Sequence, residues 1–239
     1  MANTYFEFKQ FRVNHDQTAM KVGTDGVLLG AWAQHDTPKN ILDIGTGSGL
    51  VAIMLAQRYE ARILGIDIDT DACLQASKNA KQSPWSERLY IEQADVLTFN
   101  PHLTFDLIVC NPPFYENALC SPNQKRTIAR CAHVLPFDKL IKKTTALLSQ
   151  NGTFCVILPC AAVQNFVHLC WINNLHLSRC THVHTKVGKT AKRSLLSFRT
   201  THITTPILHE LLLTGSDHKP TEEYKNLTQD YYLEQYIGK

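Results

Sequence analysis

Apolar residues recur along the chain in short blocks, and their spacing switches back and forth between a strand-like and a helix-like period. From Asn40 the pattern predicts a strand over 40–44, a helix over about 48–58, a strand over 62–67, a helix over about 70–82 and strands over 89–93 and 105–110. After a stretch rich in Pro, Asn and Ser (111–124) it predicts a helix over about 137–149, a strand over 153–158, a helix over about 161–172 and strands near 177–185 and 194–201. Near the start, Phe6, Phe8, Phe11 and Val13 predict a short strand or hairpin. Lys21 to Gly26 reads as a turn-rich loop, and Val27 to Ala33 as a buried helix with Thr24 or Asp25 as its N-cap. Such alternation predicts the α/β class: a mostly parallel twisted sheet with helices on both faces. The expected division is an N-terminal extension packed on the core (1–36), a main domain (37–201) and a C-terminal tail (202–239). No internal repeat or low-complexity tract is present.

Composition narrows the class. With 239 residues, 44% hydrophobic and 19% charged, the chain is neither disordered, collagen-like nor coiled-coil. The first 20 residues include Glu7, Lys9 and Arg12 and lack the apolar stretch of a secretory signal, so a cytoplasmic location is expected. Thr144 to Ser178 carries no charge, but Pro159 and several Asn and Gln residues interrupt it. A membrane span needs about 20 continuous apolar residues, so the segment reads as a buried strand followed by a core helix, with no membrane partner. The eight cysteines form no Cys-x-x-Cys pair and read as small buried hydrophobes in a reducing compartment. His182 and His184 have no carboxylate or Cys following nearby, so no metal site is expected.

The net charge of +3 hides a division. Residues 1–116 carry 9 Lys and Arg against 14 Asp and Glu, residues 117–209 carry 12 against the single Asp138, and residues 210–239 carry 3 against 6. A solvated basic face would account for a modest excess. A local +11 flanked by −5 and −3 points instead to a polyanion, with nucleic acid the leading candidate.

Four motifs carry candidate chemistry. Ile41 to Gly49 is a strand running into Gly45-Thr46-Gly47-Ser48-Gly49, a turn whose glycines allow positive φ and close approach of a ligand to the backbone. Leu50 stands where a dinucleotide fingerprint needs its third glycine, which disfavours a pyrophosphate cradle. The next strand ends in Asp67, 22 residues after Gly45, where a carboxylate accepts both hydroxyls of a ribose. Asp69 and Asp71, just beyond, read as helix-start acids. Asp95 closes the third strand, placed to accept from an exocyclic amine such as an adenine N6.

The fourth motif, Asn111-Pro112-Pro113-Phe114, ends an apolar strand. Two prolines remove two backbone donors and stiffen the turn, so the Asn111 amide oxygen and the Pro112 carbonyl can stand as paired acceptors for one planar NH2 group. Phe114 offers a ring for that substrate plane to stack against.

In this order and spacing, Asp43, the Gly45 to Gly49 loop, Asp67, Asp95 and Asn111 to Phe114 resemble the S-adenosylmethionine-dependent amino methyltransferases of the Rossmann-like class I fold. Phe8-Lys9-Gln10-Phe11, His15-Asp16 and the block Met20 to Trp32 are similar, more narrowly, to valine-tRNA adenine-N6 methyltransferases, which modify the adenine immediately 3′ of the anticodon. The likeness covers residues 5 to 200 and Tyr224 to Leu233; residues 202–220 match no pattern. It implies that Gly45, Thr46, Gly47 and Gly49 hold the methionine part of S-adenosylmethionine, with Asp43 near its ammonium. Thr24 and Asp25 would close that end, Asp67 would hold the ribose and Asp95 the cofactor's adenine amine, with Ile68 and Val96 also among the cofactor-binding residues. Asn111, beside the cofactor, Pro112, Pro113 and Phe114 would form the catalytic motif. With tRNA as partner, Lys125, Arg126, Arg130, Lys186, Lys189, Lys192 and Arg193 would reach its phosphates. No obligatory protein partner is implied.

Three other readings share parts of this pattern. A protein-glutamine N5 methyltransferase typically has Tyr after the prolines and a helical N-terminal domain, for which the first 20 residues leave no room. An rRNA guanine-N2 methyltransferase is usually longer. A non-catalytic nucleotide-binding module would keep the glycine loop and have no need of Asn111.

Overall fold

A computed structural model describes residues 3–18, 20–113 and 135–238. A short antiparallel hairpin, β1 (Tyr5–Glu7) and β2 (Arg12–Asn14), opens the chain. Helix α1 (Thr24–Trp32) follows, then β3 (Asn40–Ile44), α2 (Leu50–Arg58), β4 (Arg62–Asp67), α3 (Thr70–Gln82), β5 (Leu89–Gln93) and β6 (Phe105–Cys110). Beyond residue 134 come α4 (Phe137–Leu147), β7 (Leu148–Pro159), α5 (Cys160–Ile172), β8 (His176–His184), β9 (Arg193–Arg199), β10 (Ile207–Leu212), α6 (Glu222–Thr228) and α7 (Glu234–Ile237).

Eight strands make one sheet in the order β10-β8-β9-β7-β6-β3-β4-β5. All neighbours are parallel except β9, which runs antiparallel to both β7 and β8. Both faces of the central strands are covered. Ile41, Leu107 and Val109 point into a core shared with the hairpin, α1 and α2, while Leu42, Ile44, Ile108 and Cys110 point into a second core under α4 and α5. That is why these strands read as continuous apolar runs rather than alternating ones. The α/β, Rossmann-like expectation holds, including the N-terminal hairpin.

Several local expectations need correction. Neither Thr24 nor Asp25 caps α1: the cap is Gly23, with no side-chain bond, and Thr24 and Asp25 lie in the first turn. Helix α2 starts at Leu50, two residues late, because Gly49 takes a left-handed φ of 81°. Strand β7 starts at Leu148, which pairs with Phe105 before a register irregularity brings Thr153 opposite Leu107. Helix α5 buries fully only Phe166 and Cys170, so it is a surface helix rather than a core one, with Trp171 64% exposed. The segment after residue 202 supplies β10, parallel to β8, and its last turns bring Tyr231, Tyr232 and Ile237 into the first core.

Helix α1 is apolar on all sides and buried from Gly26 to Trp32. Two arginines hold its carboxyl end: Arg58 donates to the carbonyls of Ala31 and Ala33, and Arg179 to that of Trp32 while lying 3.7 Å over the indole. Cations at a helix C-terminus complement its dipole and its unpaired carbonyls. The helix thus has a fixed end from which its first turn is aimed along the sheet.

Candidate active site

The strand order reverses direction between β3 and β6: the chain runs outward through β4 and β5, then returns to build β6 and β7 on the other side. Ligands of open α/β sheets bind in the crevice beyond the carboxyl ends of the strands at such a switch point. Register brings the expected site residues there in a row. Ile44 lies opposite both Ile66 and Cys110, and Asp67 opposite Gln93, so the Gly45 loop, Asp67, Asn111 and Asp95 emerge from adjacent strand ends.

The glycine loop is held from below. Gly45 and Thr46 both donate their backbone N–H to the Ile66 carbonyl at 2.9 Å, and Gly49 donates to the Thr46 carbonyl at 2.8 Å. Thr46 Oγ1 donates to Asp43 Oδ2 at 2.7 Å, and the Ala52 N–H reaches the same oxygen at 3.2 Å. Asp43 is 2% exposed, and burial pushes its carboxyl up to about 7 despite those two hydrogen bonds. Its role within the fold is to tie β3, the loop and α2 together.

Asp67 ties β4 to the loop. Its Oδ2 accepts from the Gly47 N–H at 2.9 Å and its Oδ1 from the Asp69 N–H at 3.0 Å. A carboxylate oxygen can accept more than one donor, so acceptor capacity remains on each. Asp69 is the N-cap of α3, accepting from Asp71 and Ala72, in keeping with the helix-start reading of this acidic cluster. Asp95 Oδ1 accepts from the Leu97 N–H at 2.9 Å in a turn just past β5. Ile68 is 53% exposed beside Asp67, an apolar surface at the rim of the crevice, whereas Val96 is buried.

Gly45 and Gly47 have φ of 70° and 55°, and a Cβ built on either would meet nothing within 4 Å. The space above the loop is open, so these glycines serve backbone geometry and close approach rather than packing. Open loop backbone, spare acceptors on Asp67 and an exposed apolar Ile68 together fit a ligand with a polar amino-acid end and a ribose.

Asn111 follows β6 at half-burial, Pro112 is buried and Pro113 exposed. No described residue takes the Asn111 side-chain amide as a hydrogen-bond partner. Phe114, Lys125, Arg126 and Arg130 lie outside the described residues. On the other side of the crevice, Lys186, Lys189 and Lys192 sit in the loop joining β8 to β9, at the same carboxyl edge, because Pro159 at the end of β7 pairs with Arg193 at the start of β9. Arg193 Nε donates to Asp25 Oδ2 at 2.9 Å, so one residue expected at the nucleic acid holds one expected at the cofactor.

Asn79 belongs to the site's support and carries no signal strong enough to single it out in the sequence. Fully buried in α3, it donates to the Ser48 carbonyl of the glycine loop and to the Asn14 carbonyl of β2, both at 2.8 Å, and accepts from the Asn14 N–H. The trace it leaves is an amide within the buried stripe Ala72, Ala76, Ala80. A surface groove of about 820 Å³, lined by Leu64, Tyr90, Phe99 and Leu103, follows β5 where the connection 94–104 contains no helix, and it shares only Asp95 with the expected site.

The methyltransferase small domain model matches residues 18–161, which span the loop, Asp67, Asp95 and Asn111. A protein of Phocaeicola vulgatus named tRNA1(Val) (adenine(37)-N6)-methyltransferase is 46% identical over 233 residues, covering 98% of this chain and 99% of its own. Proteins of the same name from Bacteroides thetaiotaomicron and Flavobacterium johnsoniae are 45% and 41% identical, each covered over 99% of its length. The chain belongs to the tRNA1(Val) (adenine(37)-N6)-methyltransferase family. Membership makes it a methyltransferase with S-adenosylmethionine as cofactor, as the motifs imply. Among solved structures, a predicted O-methyltransferase of Agrobacterium tumefaciens is similar with a TM-score of 0.67 at 19% identity, covering 87% of this chain and 96% of that one. The N-methyltransferase NodS of Bradyrhizobium japonicum, with S-adenosyl-L-homocysteine, is similar at a TM-score of 0.50 and 18% identity, covering 70% and 80%. Both share the fold. Among the described residues of this family member, no helix is long and apolar enough to cross a membrane.

Proposed function

We propose that the protein methylates the N6 amine of adenine 37, immediately 3′ of the anticodon, in a valine tRNA, acting in the cytoplasm. One observation carries the reading: register sets Asn111-Pro112 beside the open glycine loop and Asp67 at the switch point, in a chain whose near-full-length relatives bear that activity in their names.

The cofactor supplies an electrophilic methyl group on a sulfonium. The chain's own part is positioning. The Gly45 to Gly49 backbone and Thr46 receive the amino-acid end, Thr24 and Asp25 border it, Asp67 accepts from ribose hydroxyls, and Ile68, Asp95 and Val96 border the adenine. The target adenine is unpaired in an anticodon loop, so taking it out of its stack costs little. Asn111 Oδ1 and the Pro112 carbonyl then accept hydrogen bonds from the two N6–H groups, which localises the nitrogen lone pair on the side facing the methyl group. No strong base is needed, since the proton can leave to solvent after transfer, and orientation supplies most of the rate. Lys186, Lys189 and Lys192 stand at the same edge to receive tRNA phosphates.

A valine-tRNA transcript and one carrying guanine at position 37, incubated with the protein and labelled cofactor, test the reading. Label is expected in the first and not the second. Equal labelling of both, or of neither, would overturn it.

A further inference from the structure

His184 closes β8 where the chain enters the lysine loop, and both of its ring nitrogens face acceptors. Nδ1 lies 2.8 Å from the Lys189 carbonyl, and Nε2 lies 2.6 Å from Glu210 Oε2 on β10. A carbonyl and a carboxylate only accept, so both contacts are hydrogen bonds only when both nitrogens carry protons. The geometry therefore calls for the imidazolium, and the same two acceptors hold the His184 pKa above its ordinary value.

The contacts draw the tip of the loop onto strands that are already paired beneath it, where the Leu213 N–H donates to the His184 carbonyl at 2.8 Å. The loop is anchored at its far end by the Lys192 N–H on the Val183 carbonyl, but its tip, with residues 185–190 all exposed, turns on Gly188 and a Lys189 to Lys186 bond. The Lys189 carbonyl on His184 pulls that tip back against the sheet, and Glu210 fixes His184 from the edge strand. The other histidines nearby are different. His182, on the same face of β8, has Nδ1 on Ser194 Oγ, which can donate or accept, and His209 makes a single contact with Glu223 on α6. Among the described residues, the loop that follows His184 adds Lys186, Lys189 and Lys192, and β9 opens with Arg193, which is paired with Asp25. Glu210 is the carboxylate that contacts His184 directly.

We propose that His184 is a positioning residue for the RNA: as an imidazolium held by Glu210, it fixes the loop that presents Lys186, Lys189 and Lys192 to tRNA phosphates. The proposal rests on reading that loop as phosphate-binding. Its consequence is a pH dependence with a definite sign. Below the raised His184 pKa the loop is tied down and tRNA binds best; as pH rises through it, the second proton is lost, one bond becomes a clash of acceptors, and tRNA affinity falls a few-fold, the scale of one half-exposed ion pair.

The test measures tRNA affinity by anisotropy from pH 6 to 9, alongside the His184 ring titration by NMR, on the full chain. Glu210→Gln keeps an acceptor but removes the charge. It is expected to move the His184 midpoint to lower pH and to move the fall in tRNA affinity with it, leaving S-adenosylmethionine affinity unchanged. His184→Gln is expected to give a weaker affinity with the pH-dependent step removed. A midpoint that moves in Glu210→Gln while the affinity profile stays put would overturn the role of His184. A Lys186→Ala, Lys189→Ala, Lys192→Ala variant separates this failure from that of the underlying reading: each lost phosphate contact should flatten the plot of log affinity against log salt by somewhat less than one unit. An unflattened slope there would overturn the phosphate-binding loop itself, and with it the role of His184; a flattened slope with an unmoved pH profile would leave the loop standing and remove His184 from it.

Discussion

Arg193, the first residue of β9, donates from Nε to Oδ2 of Asp25 in the first turn of α1, at 2.9 Å and across 168 residues of chain. Each side chain is one-third exposed, so the pair is a modest contributor to stability, at most about 1 kcal/mol. Its interest lies in what it connects. Asp25 is the residue proposed to border the cofactor's amino-acid end, and Arg193 adjoins the lysine loop.

Arg193 should therefore behave unlike its basic neighbours. Arg193→Ala is expected to weaken both S-adenosylmethionine and tRNA binding a few-fold, whereas the triple lysine variant weakens tRNA binding alone. Calorimetric titration of the cofactor against both variants checks this, and an Arg193→Ala protein with native cofactor affinity would separate Asp25 from the cofactor.

Asp67 is expected to matter to the ligand and to the loop together. Asp67→Ala removes the acceptor for the Gly47 N–H as well as the ribose contact, and should weaken S-adenosylmethionine binding by about 1.5 to 3 kcal/mol, the range for hydrogen bonds to a charged group. The fold should persist. Unchanged cofactor affinity in this variant would remove Asp67 from the site.

Asp43 makes a prediction about pH. Its carboxyl holds a proton more tightly in the fold, near 7, than at the ordinary 3.8, so its contribution to stability is complete below about 4 and is lost as pH rises towards 7. Asp43→Asn keeps an oxygen for Thr46 and Ala52 and should flatten that part of the stability profile, measured as urea midpoints between pH 4 and 7.5. Should Asp43 also meet the cofactor's ammonium, wild-type cofactor affinity will rise as pH passes through 7 and the Asn variant will show no such rise. Parallel stability profiles in the two proteins would mean that Asp43 does not titrate in this window.

The reach of sequence reading follows from how local each feature is. The strands over 40–44, 62–67, 89–93 and 105–110 and the helix over 70–82 were legible to the residue; the apolar runs of β3, β4 and β6 stop at Gly45, Asp67 and Asn111 at the carboxyl edge. Those same strand ends carry the residues expected to hold the cofactor, so the expectation and the fold rest on one set of signals. Strand β10 was not: Ile207 and Leu208 are both more than 60% exposed, and an edge strand so lightly buried shows no two-residue alternation. The exposure of α5 was hidden because an apolar composition does not say which neighbour covers it. The Asp25–Arg193 pair and the His184–Glu210 pair join residues far apart in the chain, and only the antiparallel β9 and the parallel β10 bring them within reach.

The central claim is that Asn111 orients the reacting amine beside the bound cofactor, and the single-turnover rate of Asn111→Ala with valine tRNA tests it most directly. An interaction that strengthens as the lone pair localises acts on the chemical step, so the rate should fall by roughly a hundredfold or more while S-adenosylmethionine affinity stays at the wild-type value. A variant that transfers methyl groups at a near-native rate would contradict the account.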